Sequence, residues 1–355
     1  MREVEVVVVG AGQAGLSAAY FLSHRGVSHD EFAVLDSNDG PGGAWRHRWP
    51  TLTMEKVHGV HSLPGLDLPD HRPTALACDV VPTYFADYEQ RFALPVARPV
   101  QVERVEDRDD HRLEVTTDVG RWRTRGLINA TGTWTRPFWP LYPGADRFAG
   151  RQLHTADYQG PDEFAGQRVV VVGGGHSAIQ HIEELLEVAT VTWVTRRPPV
   201  WREGSFDEQS RREAVASVER AVAEGRRPES VVSVTGLIAP PVVAAALEDG
   251  SLPQLAMFDH ITTGGVAWDD ERVVEADVIL MATGFRHALD HLAPLGLRGG
   301  KGGIVMDGTQ VAADPRIHLL GYGPSASTIG ANRAARVAVR DLRRWLETHP
   351  HGRTG

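Results

Sequence analysis

Val6-Val7-Val8-Val9-Gly10-Ala11-Gly12-Gln13-Ala14-Gly15-Leu16 is the stretch that decides the fold. The run from Val4 to Val9 is almost wholly valine, as expected of a strand buried on both faces of a parallel sheet. Gly10-x-Gly12-x-x-Gly15 then opens a helical stretch carrying Leu16, Ala19, Phe21 and Leu22, which Gly26 is placed to end. Phe32-Ala33-Val34-Leu35 predicts the next strand, closing on Asp36, twenty-one residues past the last glycine. This strand, helix and strand make a dinucleotide-binding unit. Gly10 permits the tight turn, Gly12 lets backbone approach a pyrophosphate, and Gly15 lets helix and strand pack closely. The first helical N–H groups, around Gln13 and Ala14, aim a positive dipole end at the phosphates. Asp36 is placed to accept from a ribose hydroxyl.

A second unit of the same kind spans Arg168 to Arg197. Val169 to Val172 form its strand, Gly173-Gly174-Gly175-His176-Ser177-Ala178 its turn, Ile179 to Glu187 its helix and Val191 to Val194 its second strand. Thr195-Arg196-Arg197 follows that strand, where the first unit has Asp36. A carboxylate there pairs with ribose hydroxyls and repels a 2′-phosphate, whereas arginines pair with that phosphate. The first site therefore suits FAD and the second NADPH. If Arg196 and Arg197 are ordinary surface charges, NADH serves as well.

Two dinucleotide units in one chain imply hydride transfer between two cofactors, from nicotinamide to flavin, where the units face each other. The fold class is α/β with two Rossmann-like domains, the second inserted into the first. Residues 1–134 and 285–355 are assigned to the FAD domain and 135–284 to the NAD(P)H domain. Residues 96–130 alternate like an antiparallel meander, and residues about 203–250 read as a helical insertion. Val278 to Met281 returns as a strand, and Asn332 to Leu346 is an amphipathic helix with a solvated arginine face.

At 355 residues, 42% hydrophobic and 23% charged, the chain has room for two full cores and is not of a disordered type. A formal net charge of −9 argues against nucleic acid or an anionic membrane as partner. The one cysteine, Cys78, excludes an internal disulfide and a CxxC redox centre. Met1 leads straight into a strand without a signal-peptide pattern, so the cytoplasm is the expected location. Nothing in the sequence sets the oligomeric state, and a homodimer is compatible with it.

Phe148-x-Gly150-x-x-x-His154-x-x-x-Tyr158, just before the second fingerprint, resembles the FxGxxxHxxx(Y/F) signature of flavin-containing monooxygenases. Gly42-Gly43-Ala44-Trp45 is similar to the family's GGxW segment, which lies along the isoalloxazine. Ala130-Thr131-Gly132 and Ala282-Thr283-Gly284 resemble its ATG hinges between domains. The resemblance covers nearly the whole chain and implies FAD, NADPH, O₂ and a small-molecule substrate, a sulfide or an amine, oxygenated through a C4a-hydroperoxyflavin. It assigns Gly43, Ala44, Trp45, Thr131, Gly132 and Gly284 to the cofactors. Thr328 joins them, lying in the stretch Ser325 to Gly330 before the last helix, whose backbone N–H groups can face the flavin. The stretch Leu52-Thr53-Met54-Glu55 lacks the Asn that family members often place after GGxW. Catalytic candidates are Thr53, His58 and His154, the last also suited to a hinge hydrogen bond. A reductase acting on a quinone or a small-molecule disulfide is the alternative.

His287 and His291, four apart, read as a surface pair without a third metal ligand. Trp45, Trp49, Trp134 and Trp139 suit either packing or an aromatic pocket. GxSxG does not occur, so hydrolase chemistry has no support.

Overall fold

In the computed structural model, residues 1–57, 59–108, 110–202, 208–228, 236–326 and 328–350 are described, without side chains at 208–215, 324, 328 and 329. The chain runs β1 (Arg2–Val9), α1 (Gln13–His24), β2 (Phe32–Leu35), α2 (Ala77–Arg91), β3 (Val96–Ala97), β4 (Val102–Asp107), β5 (Leu113–Thr117) and β6 (Gly120–Asn129). It continues as β7 (Arg151–His154), β8 (Arg168–Val172), α3 (His176–Leu185), β9 (Thr190–Thr195), α4 (Glu208–Ala223) and α5 (Pro241–Glu248). Then come β10 (Gln254–Ala256), β11 (His260–Thr262), β12 (Gly265–Ala267), β13 (Val273–Glu275) and β14 (Val278–Met281). The last elements are β15 (Met306–Asp307), β16 (Gln310–Val311), β17 (Asp314–Leu319) and α6 (Thr328–Thr348).

Among the described residues these strands form a nine-stranded and a five-stranded sheet, with a three-stranded antiparallel sheet of β11, β12 and β13 beside them. In the larger one β1 lies between β2 and β6, parallel to both, with Val9 opposite Leu35 on one side and Asn129 on the other. Valine suits this place because both faces of β1 are covered: Val6 to Val9 are all buried. The meander appears as β4, β5 and β6, antiparallel in turn. The smaller sheet, ordered β10-β9-β8-β14-β7, is parallel throughout.

α6 covers the larger sheet beside α1, turning Ala335, Ala338, Val339 and Leu342 inward. A Cβ on Gly126 would stand 2.8 Å from Leu342, so the strand is bare where the helix presses closest. One continuous apolar core joins both units, from Val6 and Leu16 through Trp49, Leu52 and Tyr158 to Ile182 and Trp193. Burial of this kind is the main favourable term in folding, and here it also joins the two sheets.

Two expectations change. The second helix begins at His176 rather than Ile179, because the fingerprint residues themselves form its first turn. The insertion, grouped by sequence with residues 135–284, docks against the first unit through the end of α4. Val222 belongs to the core with Leu127, Leu319 and Tyr322, and the Gly303 N–H donates to the Gly225 carbonyl. An amphipathic helix settles on whichever neighbouring face is apolar, whatever its chain position.

Candidate active site

The first glycine turn is built by close approach. A Cβ on Gly15 would lie 1.8 Å from the Gly10 carbonyl oxygen, so no larger residue lets α1 start here. Gly12 caps α1, and a Cβ on Gly43 would come 2.8 Å from its Cα. The short 3-10 turn Gly43–His47 thus begins with Gly43 against Gly12, and Ala44 and Trp45 follow it in the same turn. The Gln13 side chain turns away from this cradle, donating to Asn332 Oδ1 on α6 at 2.8 Å, while Ala14 packs against the core. Bare Cα atoms and the N–H groups at the start of α1 fit a pyrophosphate.

Asp36 ends β2 and is 4% exposed. It accepts from Arg98 Nε at 3.0 Å and from Asn38 Nδ2 at 3.1 Å, and Arg98 forks onto Glu89. Its oxygens keep lone pairs for a ribose hydroxyl. Arg98 lies sixty-two residues away in sequence and was not legible as its partner.

In the second turn, a Cβ on Gly173 would stand 2.2 Å from the Ala282 carbonyl oxygen, whereas Gly175 and Gly284 face open space. Gly175 caps α3, His176 and Ser177 are half-buried in its first turn, and Ala178 is buried. Thr195 is buried at the end of β9, while Arg196 and Arg197 are exposed. This set fits an NADPH phosphate end: open glycines at a helix start and two cations beyond the second strand.

The two crossings between the sheets are laced together. Thr131 Oγ1 donates to the Ala288 carbonyl at 2.7 Å, and Ala288 N–H donates to the Gly132 carbonyl. His154, fully buried at the end of β7, accepts the Ala156 N–H at Nδ1 and bonds to the Gly284 carbonyl through Nε2 at 3.0 Å. That pair of partners assigns the proton to Nε2, and burial lowers the ring's pKa, favouring the neutral form. Its edge meets Phe285, which stacks on Trp134.

Beside it, Tyr158 and Thr51 donate to the same oxygen of Glu184 on α3, at 2.9 and 2.8 Å. Lys56 pairs with Glu183, and Gln180 donates to the Lys56 carbonyl. His181 is packed between Trp49 and Tyr158, where burial pushes its pKa down to about 3. The sequence marked neither Glu184 nor His181. Their one signal was position, on the inward face of the helix after the second fingerprint.

Thr53 sits in a backbone bridge with Leu76 and its hydroxyl is turned to the Glu55 carboxylate at 3.4 Å. His58 lies outside the described residues, as does the side chain of Thr328, whose backbone opens α6. His287 and His291 are not a surface pair. His291 is buried and bonded to Asn129 Oδ1 at 2.7 Å, and His287 packs on the Tyr322 ring. Of these tryptophans, Trp49 is core, Trp139 is 42% exposed, and Trp45 and Trp134 lie against the Arg48 guanidinium.

Residues 7–225 match the family described as pyridine nucleotide-disulphide oxidoreductase. The structure is similar to a flavin-containing monooxygenase from Stenotrophomonas maltophilia, 36% identical, with a TM-score of 0.81, 97% of this chain and 99% of that one being covered. An uncharacterized CzcO-like oxidoreductase from Geobacillus kaustophilus is 33% identical over 189 residues, 52% of each chain. The match thus spans about half the length of that curated relative, as it does for several others. A ferredoxin–NADP reductase from Thermus thermophilus is 27% identical over 94% of this chain and 92% of its own. This chain belongs to the pyridine nucleotide-disulphide oxidoreductase family, within its flavin-containing monooxygenase branch, whose cofactors are FAD and NADPH.

Proposed function

We propose that this chain is an NADPH-dependent monooxygenase that transfers one atom of O₂ to a sulfide or amine through a C4a-hydroperoxyflavin. Residues 1–134 and 285–355 form the FAD domain in this reading, and residues 135–284 form the NAD(P)H domain. The observation that carries it is the pair of glycine turns, each at the end of a parallel strand in one of the two larger sheets, with the crossings joined through Thr131 and the second of them held by His154.

When bound, the nicotinamide supplies a hydride and the flavin passes its electrons to O₂, so that NADPH, a proton, O₂ and a sulfide give NADP⁺, water and a sulfoxide. The chain's part is to bind, orient and exclude water. Gly10 to Gly15 and Asp36 hold the FAD phosphates and ribose, while Gly43, Ala44 and Trp45 flank the flavin side. Gly175 to Ala178 hold the NADPH phosphates, with Thr195, Arg196 and Arg197 at its adenosine end. Neutral His154 keeps the Gly284 crossing in place, and the stacked Trp134 and Phe285 make an apolar wall at the junction.

Aerobic NADPH consumption across a panel of sulfides, amines and ketones, with product and H₂O₂ quantified together, tests this. Oxygenated product approaching the NADPH consumed is the expected result. NADPH oxidation that yields H₂O₂ alone with every compound overturns it.

A reductase reading is favoured by the alignment with a ferredoxin–NADP reductase over most of both chains. With Cys78 the one cysteine, such an enzyme would pass electrons to a quinone or a small-molecule disulfide without a protein dithiol. Fast anaerobic turnover with a quinone, with no oxygenated product in air, is its signature.

A further inference from the structure

The side chain of Arg48 carries a charge that the described chain leaves unanswered. Its guanidinium carbon lies 4.6 Å from the centre of the Trp134 ring and 5.5 Å from that of Trp45. Its Nε is shut off from solvent and has no hydrogen-bond partner. Arg46, two residues earlier, is by contrast paired with Asp39 and with the Pro41 carbonyl. Among the described residues no carboxylate stands against Arg48. Burial lowers its pKa to about 10, which leaves the group charged at neutral pH. Arg48 as a residue is half-buried, and two ring faces replace only part of the water that the covered side of its guanidinium loses. With no carboxylate against it among the described residues, the exposed side of the fork is open to an anion.

The position of Arg48 says which kind of anion. Trp134 directly follows the first crossing and stacks on Phe285, ring centres 4.9 Å apart, just past the second crossing. Trp45 stands in the 3-10 turn whose Gly43 backs onto the first glycine turn. The cation therefore sits at the junction of the two units, beside the turn that backs onto the first cradle, while each cradle has its own N–H groups at the starts of α1 and α3. Backbone N–H groups and open glycines suit a phosphate, whereas two indole walls suit an apolar body with one anionic end.

We infer that Arg48, walled by Trp45 and Trp134, is the receptor for the carboxylate of an aromatic or otherwise apolar substrate. The inference rests on the monooxygenase reading and narrows it: the oxidisable thioether or amine also bears a carboxylate. The guanidinium fork donates to the two carboxylate oxygens and fixes the substrate's orientation, while the indoles take its apolar part.

The test is equilibrium binding to the FAD-loaded full chain, measured calorimetrically without turnover. The probes are (phenylthio)acetate and its neutral counterpart (phenylthio)acetamide. The wild type is expected to bind the acid at least about tenfold more tightly than the amide. Arg48→Met should bring the two within about twofold while leaving FAD content and NADP⁺ affinity unchanged, and Arg48→Lys should keep part of the preference. Equal binding of acid and amide by the wild type overturns the inference, and that comparison needs no variant to fold. So does an acid preference that survives in Arg48→Met, or a loss of FAD or NADP⁺ affinity there, which would make a cofactor phosphate the anion. Because no turnover is read, selective binding of the acid by a chain that oxygenates nothing leaves the receptor standing and removes the monooxygenase reading alone.

Discussion

His154 and Gly284 are joined where the chain leaves the second sheet: Nε2–H of the imidazole donates to the Gly284 carbonyl at 3.0 Å, while Nδ1 accepts the Ala156 N–H. One ring thus fixes the end of β7 to the crossing that follows β14. The Gly284 carbonyl keeps a second donor, Phe138 N–H at 2.9 Å, so loss of the imidazole loosens the crossing without orphaning it. His154→Ala is expected to retain FAD and to slow flavin reduction by NADPH, by roughly tenfold if the hydrogen bond is worth about 1–1.5 kcal/mol in the reactive alignment. Anaerobic stopped-flow reduction measures this. Complete loss of FAD from a folded variant would contradict it.

Glu184 holds the units together from the other side. Tyr158→Phe leaves the carboxylate with its Thr51 partner and should cost about 1 kcal/mol in chemical denaturation. Adding Thr51→Val strips the same oxygen of both donors, so the double variant should lose more than the sum of the singles. Simple additivity would show that water replaces the lost hydroxyls.

The glycines of the two turns should separate by what surrounds them. Gly15→Ala drives a methyl into the Gly10 carbonyl and is expected to abolish FAD loading or folding. Gly175→Val projects into open space, so the chain should fold and stay yellow but be poorly reduced by NADPH. An NADPH reduction rate unchanged in Gly175→Val would remove that turn from the nicotinamide site.

Arg196 and Arg197 are exposed beyond β9, on the side where a 2′-phosphate would lie. One charge-assisted contact of this kind is worth roughly ten- to a hundredfold in affinity, and two sharing a phosphate need not add. The wild type should favour NADPH by at least about tenfold in kcat/KM, and Arg196→Gln with Arg197→His should raise KM for NADPH with little change for NADH. Equal use of both cofactors by the wild type would leave the arginines as surface charges.

Stability should fall on mild acidification. His181, His291 and His318 are buried, with pKa values pushed down to about 3, about 4 and about 4 by loss of hydration. Between those values and about 6.5 the unfolded chain binds more protons than the folded one, so stability rises with pH there and is lost as pH drops. Each histidine adds at most about 1.4 kcal/mol per pH unit. Denaturation at pH 7.5, 6 and 5 should show the decline, and His181→Phe should make it shallower. A flat profile over that range would mean the rings are protonated in the folded state.

The two Rossmann units, the meander and the order of the motifs were legible along the chain, because a parallel strand buried on both faces must be an apolar run and its phosphate turn must be glycine. The open glycines and the arginines after β9 were legible for the same local reason. Other features came only from tertiary structure. Arg98 beside Asp36, Glu184 under Tyr158 and Thr51, and the docking of α4 on the first unit join residues far apart in sequence. Such pairings have no period or motif. A buried charge or hydroxyl takes whichever partner the packed core brings within reach, and that choice is made when the two sheets close on one another. His291 shows the limit from the other direction: four residues from His287 it looked like a surface pair, yet the fold buries it against Asn129, since its place in the core is set by its neighbours in space and not by its spacing along the chain.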